Sequence, residues 1–145
     1  MKASNSIGTL EIVVPADAID ANGHVNNVQY VQWMQDAALA HSAALGWPSA
    51  RYAALNRTWI IRSHTIEYFH SAYEGELIWV QTWVATFQRI KSLRKFRFFR
   101  PSDETVLAKA STLFIFCDTV SGKPATIPPE VVQDYPIVAT AEEPE

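Results

Sequence analysis

Polar and apolar positions change rhythm twice along this chain, and each change marks a class of element. Thr9 to Val14 is rich in β-branched side chains and stops at Pro15, which predicts a first strand. Asp17 to Asn22 is polar and runs into Gly23, the signature of a loop. From Asn27 to Leu45 the apolar residues Val28, Val31, Met34, Ala38 and Leu45 recur at helical spacing, with Tyr30, Trp33 and Ala37 beside them. Asn26 or Asn27 supplies an N-cap for this long helix, and Gly46 stops it before Trp47-Pro48. A second, shorter helix is expected over Ser49 to Leu55.

The rhythm then becomes that of strands. Thr58 to Phe69 and Leu77 to Phe87 are rich in Trp, Ile, Val and Thr, and Arg94 to Arg100 and Val106 to Cys117 follow. Tyr73-Glu-Gly-Glu76, Gln88 to Ser92 and Pro101-Ser-Asp-Glu104 separate them, each short and polar enough for a turn. Ile127-Pro-Pro-Glu130 suits a turn followed by one turn of helix, with Pro129 at its start. Ala139 to Glu145 reads as a frayed end. One strand, one long helix and four antiparallel strands define an α+β layer pair spanning residues 1–145 as one domain. A single helix covers only one face of such a sheet. The aromatics Trp59, Trp79, Trp83, Phe96, Phe98 and Phe99 need cover on both, so a homodimer or homotetramer is expected.

Composition narrows the class of function. A net charge of −3 argues against nucleic acid as the main partner. The first residues carry no apolar run of a signal peptide, and no stretch has the length of a membrane span, so no membrane partner is expected. Cys117 is the lone cysteine, which leaves neither an internal disulfide nor a cysteine metal site. His41 and His70 lack ligand spacing, so no metal is expected. A cytoplasmic protein is the simplest reading.

At the junction between loop and long helix, Asp20-Ala-Asn-Gly-His-Val-Asn-Asn is followed by Tyr30, Trp33 and Ala37. This pattern resembles the hotdog-fold acyl-CoA thioesterases of the 4-hydroxybenzoyl-CoA thioesterase type. Later segments agree in order: Ile66-Glu-Tyr68, Gly75, Ala108-x-Ala110-x-Thr112, Asp118-Thr-Val-Ser-Gly-Lys-Pro and Ile127-Pro-Pro-Glu130. The resemblance implies an antiparallel sheet wrapped around one central helix. It departs at Ala18, where members often carry a second acidic residue, and at Ser71, where many have proline.

The resemblance implies that Asp20 acts as nucleophile or as general base toward water, and that the backbone N–H of Asn27 receives the oxyanion. Elementary physics supports the second role, because the first N–H groups of a helix are unpaired and lie at the positive end of its dipole. Gly23 lets the backbone turn tightly beside the thioester. His24 orients Asp20, contacts substrate, or braces the loop, and Asn26 is a cap or loop brace beside the substrate. Tyr30 and Trp33, one turn apart, line the base of an acyl pocket or serve as plain core. Arg62 and His64 share a strand face with Ile60, Ile66 and Tyr68, and they approach the substrate only if that face meets the helix.

Six of the twelve basic residues, Arg89, Lys91, Arg94, Lys95, Arg97 and Arg100, fall within twelve positions. Arg94 and Lys95 are the expected contacts for the phosphates of coenzyme A or for an acyl carrier protein. A solvated, charge-guarded strand edge is the competing reading. The reaction needs no cofactor beyond the thiol carrier of the substrate. Two other functions fit the same residues: a non-catalytic acyl-CoA sensor, and a hotdog enoyl-CoA hydratase. The hydratase pattern needs one more residue between Asp20 and His24, and a proline where Gly23 stands.

Overall fold

The computed structural model describes residues 6–145. Strand β1 (Gly8–Val13) leads through a 3₁₀ turn to helix α1 (Asn27–Ala44) and a short α2 (Ser49–Ala54). Then come β2 (Arg57–Tyr68), β3 (Leu77–Gln88), β4 (Lys91–Arg100), β5 (Thr105–Asp118) and α3 (Pro129–Asp134). The strands form one antiparallel sheet in the order β1-β3-β4-β5-β2, so β1 and β2 are its edges.

Helix α1 starts where Asn26 caps it, its side chain accepting the Val28 N–H at 2.9 Å. It stops in a Schellman arrangement: Gly46 N–H bonds to Ala43 O, and Trp47 N–H to Ser42 O at 2.8 Å. Gly46 there has φ +93°, a conformation that side-chain-bearing residues adopt at a cost. The buried stripe of α1 is Tyr30, Trp33, Met34, Ala37 and His41. The expected stripe through Val28 and Val31 is therefore displaced by one residue, about 100° around the helix, and Val28 is 73% exposed. Both stripes have helical period. The sheet takes the one with the larger rings.

Those rings pack on Ile78, Val80, Phe96, Phe98, Leu107 and Ala108 of the sheet. Each large side chain sealed here contributes roughly 1.5–3 kcal/mol. A second cluster gathers Trp47, Tyr52, Val84, Phe116, Ile127, Val131 and Tyr135 under α2 and α3.

Two further features depart from expectation. In β2 a bulge between Ile61 and Ser63 leaves Arg62 unpaired. The inward face therefore switches from Trp59 and Ile61 to His64, Ile66 and Tyr68. The C-terminal residues, expected to fray, instead dock on the outer face of the sheet. Glu143 meets Lys95 at 2.8 Å and accepts from the Trp83 Nε1 at 3.2 Å, while Arg97 donates to the Glu145 carbonyl at 3.0 Å. An acidic tail finds basic residues and an apolar ring on one surface.

Candidate active site

The segment ahead of α1 closes on itself. Ile19 and Val25 form an antiparallel bridge, Asp20 N–H donates to His24 O at 3.1 Å, and Gly23 N–H donates to Asp20 O at 3.0 Å. Gly23 has φ +84° with open space around it, so the loop needs glycine for its backbone and not for room. Asn22 N–H donates to Asp20 Oδ1 at 2.8 Å, which orients the carboxylate. Its Oδ2 has no donor among the described residues.

This loop is pinned to the helix start from both sides. Asn26 N–H donates to Ala18 O and Val25 N–H to Ala72 O, each at 2.9 Å. The segment carrying Ala72 is itself held by Arg100, which donates to Ser71 O and to Glu76. Arg100 is thus a positioning residue that sequence reasoning placed only in a basic cluster. Asn27 occupies the first helical position, and its N–H finds no acceptor among the described residues. The Tyr68 hydroxyl donates to Asn27 O at 3.0 Å, tying β2 to the same junction. Asp20, Gly23, Asn26 and Asn27 are therefore brought together. His24 joins them with its ring edge toward Tyr73, centroids 6.3 Å apart.

Behind the junction, the Tyr30 ring touches Trp33, Tyr68 and Phe98. Burial, with the Tyr68 hydroxyl adding to it, pushes the Tyr30 phenol up to about 12, so it stays protonated. Tyr30 and Trp33 are core residues and do not line the neighbouring cavity.

That cavity, about 480 Å³, lies one turn farther along α1. Met34, Ala38 and Ser42 of α1 form one wall, Tyr52 of α2 another, and Trp59, Ile61, His64, Arg94, Phe96 and Thr112 of the sheet the floor. The volume suits a medium-sized organic group. His64 bonds to the Thr112 hydroxyl at 2.8 Å, and burial pulls its imidazole below 6.5. Thr112 alternates with Ala108 and Ala110 along β5, a period that could have marked it as inward.

The structure separates the remaining expected pairs. Arg94 is buried in the cavity, whereas its neighbour Lys95 points to the outer face and pairs with Glu143. Strand alternation prevents the two from gripping one coenzyme phosphate, which corrects that expectation. Arg62, the bulged residue, is exposed while His64 faces inward, so those two do not act together either. Among the described residues no group of three metal-ligating side chains occurs, and no helix is long and apolar enough to cross a membrane.

A profile of the thioesterase-like superfamily matches residues 13–134. The chain belongs to that superfamily. As a member of the thioesterase-like superfamily it is a thioester hydrolase, and solved structures give its fold as hotdog. A 1,4-dihydroxy-2-naphthoyl-CoA thioesterase from Synechocystis superposes with a TM-score of 0.80 at 17% identity, over 88% of this chain and 93% of that one. A DHNA-CoA thioesterase from Staphylococcus aureus gives 0.81 at 21% identity, over 88% and 87%. An acyl-ACP thioesterase from Bacteroides thetaiotaomicron gives 0.84 at 25% identity; all of this chain matches, but only 60% of that protein. No curated protein sequence matches the chain.

Proposed function

We propose that the protein hydrolyses acyl-CoA thioesters at the junction of the Asp20 loop and helix α1. The observation that carries this reading is the pairing of two unspent groups on one braced junction: the Asn27 N–H and the Oδ2 of an oriented Asp20 carboxylate. A thioester oxygen at the Asn27 N–H gains charge as the tetrahedral intermediate forms, and the helix dipole favours that charge. Asp20 either attacks the carbonyl carbon itself or takes a proton from the attacking water. Collapse breaks the C–S bond and expels the coenzyme A thiolate, which takes up a proton. In the nucleophilic route, water then hydrolyses the acyl anhydride.

The acyl group occupies the cavity beside β2. Its mouth is flanked by Leu39 and Ile61, both exposed apolar residues, next to the free edge of the sheet. A second copy pairing along β2 would complete the wall there, and a homodimer is the assembly this reading requires. His24 and Asn26 flank the thioester, and the coenzyme lies outside the cavity.

Thiol release from a panel of short, long-chain and aryl acyl-CoAs tests the assignment. Asp20→Asn is expected to lower kcat on the order of a hundredfold or more with little change in KM. Turnover close to that of the unaltered protein would remove Asp20 from the reaction.

A further inference from the structure

The cavity contains a charge that the protein itself does not answer. Arg94 is 4% exposed, and none of its hydrogen-bond partners is a carboxylate. Nη1 lies 2.9 Å from His41 Nδ1 and donates to Thr82 Oγ1 at 3.1 Å; Nη2 donates to Ser42 Oγ at 3.5 Å. Arginines 51, 57 and 100 each pair with a carboxylate, but Arg94 pairs with none among the described residues. The cavity wall contains no Asp or Glu, and its other arginine, Arg57, is already matched by Asp118 at 3.2 Å. A buried cation without an anion is strongly unfavourable, so a site of this kind favours a ligand that brings one.

We infer that the acyl group held in this cavity carries a carboxylate of its own, received by Arg94, so that the substrates are CoA thioesters of dicarboxylic acids. This rests on the reading of the cavity as the acyl pocket. The Nε–H and one Nη2–H of Arg94 have no acceptor among the described residues, and donors on the side of a guanidinium match the two oxygens of a carboxylate. Beside Arg94 in the sheet register stands Thr112, itself bonded to His64. Together they draw a polar stripe across the floor, with the apolar side chains of Met34, Trp59, Phe87 and Phe96 around it. An apolar body with one anionic end satisfies both surfaces. A plain alkyl chain leaves the guanidinium unanswered, and coenzyme phosphates would leave water for apolar walls.

Matched pairs of CoA thioesters test this, an alkyl acyl chain against the same chain ending in a carboxylate, from short to long. The unaltered protein is expected to favour the carboxylated member in kcat/KM by on the order of a hundredfold at its best length. In Arg94→Met that ratio falls toward one, and Arg94→Lys restores part of it. A preference for the alkyl member, or an Arg94→Met variant that slows both members equally, would make Arg94 only a brace between β4 and α1 and overturn the inference. The preference of the unaltered protein decides even if Arg94→Met does not fold. If no thioester turns over, the hydrolase reading fails separately, and melting shifts with free dicarboxylic acids decide the binding. Stabilisation by the diacid over the matched monoacid supports the carboxylate site, and equal shifts refute it.

Discussion

His64 shows how a single side chain in the cavity couples the site to pH. Its imidazole bonds to Thr112, and burial lowers its pKa below the ordinary 6.5. The unfolded chain therefore takes up this proton more readily than the native one. Above pH 6.5 the group has no effect, and as pH falls from there toward the folded pKa the native state loses stability. His64→Gln keeps a hydrogen-bonding side chain but no titration. Its melting temperature is expected to fall less steeply between pH 6.5 and 5 than that of the unaltered protein, and parallel melting curves would contradict the shift. At this scale the Asp20 loop was legible because its bonds are local: Asp20, Asn22, Gly23 and His24 contact one another within five residues. Arg94 was legible as a cation but not as a buried one, since alternation alone does not say which face of β4 meets the helix.

Helix α1 is the element on which the junction depends, and its start rests on one side chain. Asn26→Ala removes the acceptor for the Val28 N–H and is expected to cost about 0.5–2 kcal/mol of stability. Fraying of the first turn also displaces the Asn27 N–H, so kcat should drop while Asn26→Asp or Asn26→Ser retains most of both. Denaturant unfolding and kinetics measured on the three variants separate these outcomes. A stable, fully active Asn26→Ala would detach the cap from the site. Caps and stops of α1 were readable because Asn and Gly have position-specific backbone roles. The face of α1 was not, because its two apolar stripes share one period. The same limit held in β2, where Trp59 and Ile61 point inward before the bulge, and His64 and Tyr68 after it. A strict alternation assigns those pairs to opposite faces, and only the extra residue, Arg62, reconciles them.

For the whole molecule the open question is what lies along β2. This twelve-residue edge strand exposes Ile60 at 51% and Ile61, which lines the cavity, at 37%. Long apolar edges invite pairing, and the proposed dimer uses this one. Ile60→Glu is expected to shift light-scattering mass from twice the chain mass toward a monomer and to reduce turnover with it. A variant that stays dimeric would move the interface elsewhere. The patch around Trp83 and Lys95 is already closed within one chain, the tail covering the first and neutralising the second. The sequence by itself determined the identities and order of the elements, the capped helix and the glycine turn, because those depend on neighbours along the chain. The tertiary structure decided which stripe of α1 is buried, that Arg94 and Lys95 part company, and that Arg94, Thr112 and His64 meet in one cavity. Those contacts join residues from different strands and from the helix, and burial between distant segments is set by packing, which local spacing does not encode.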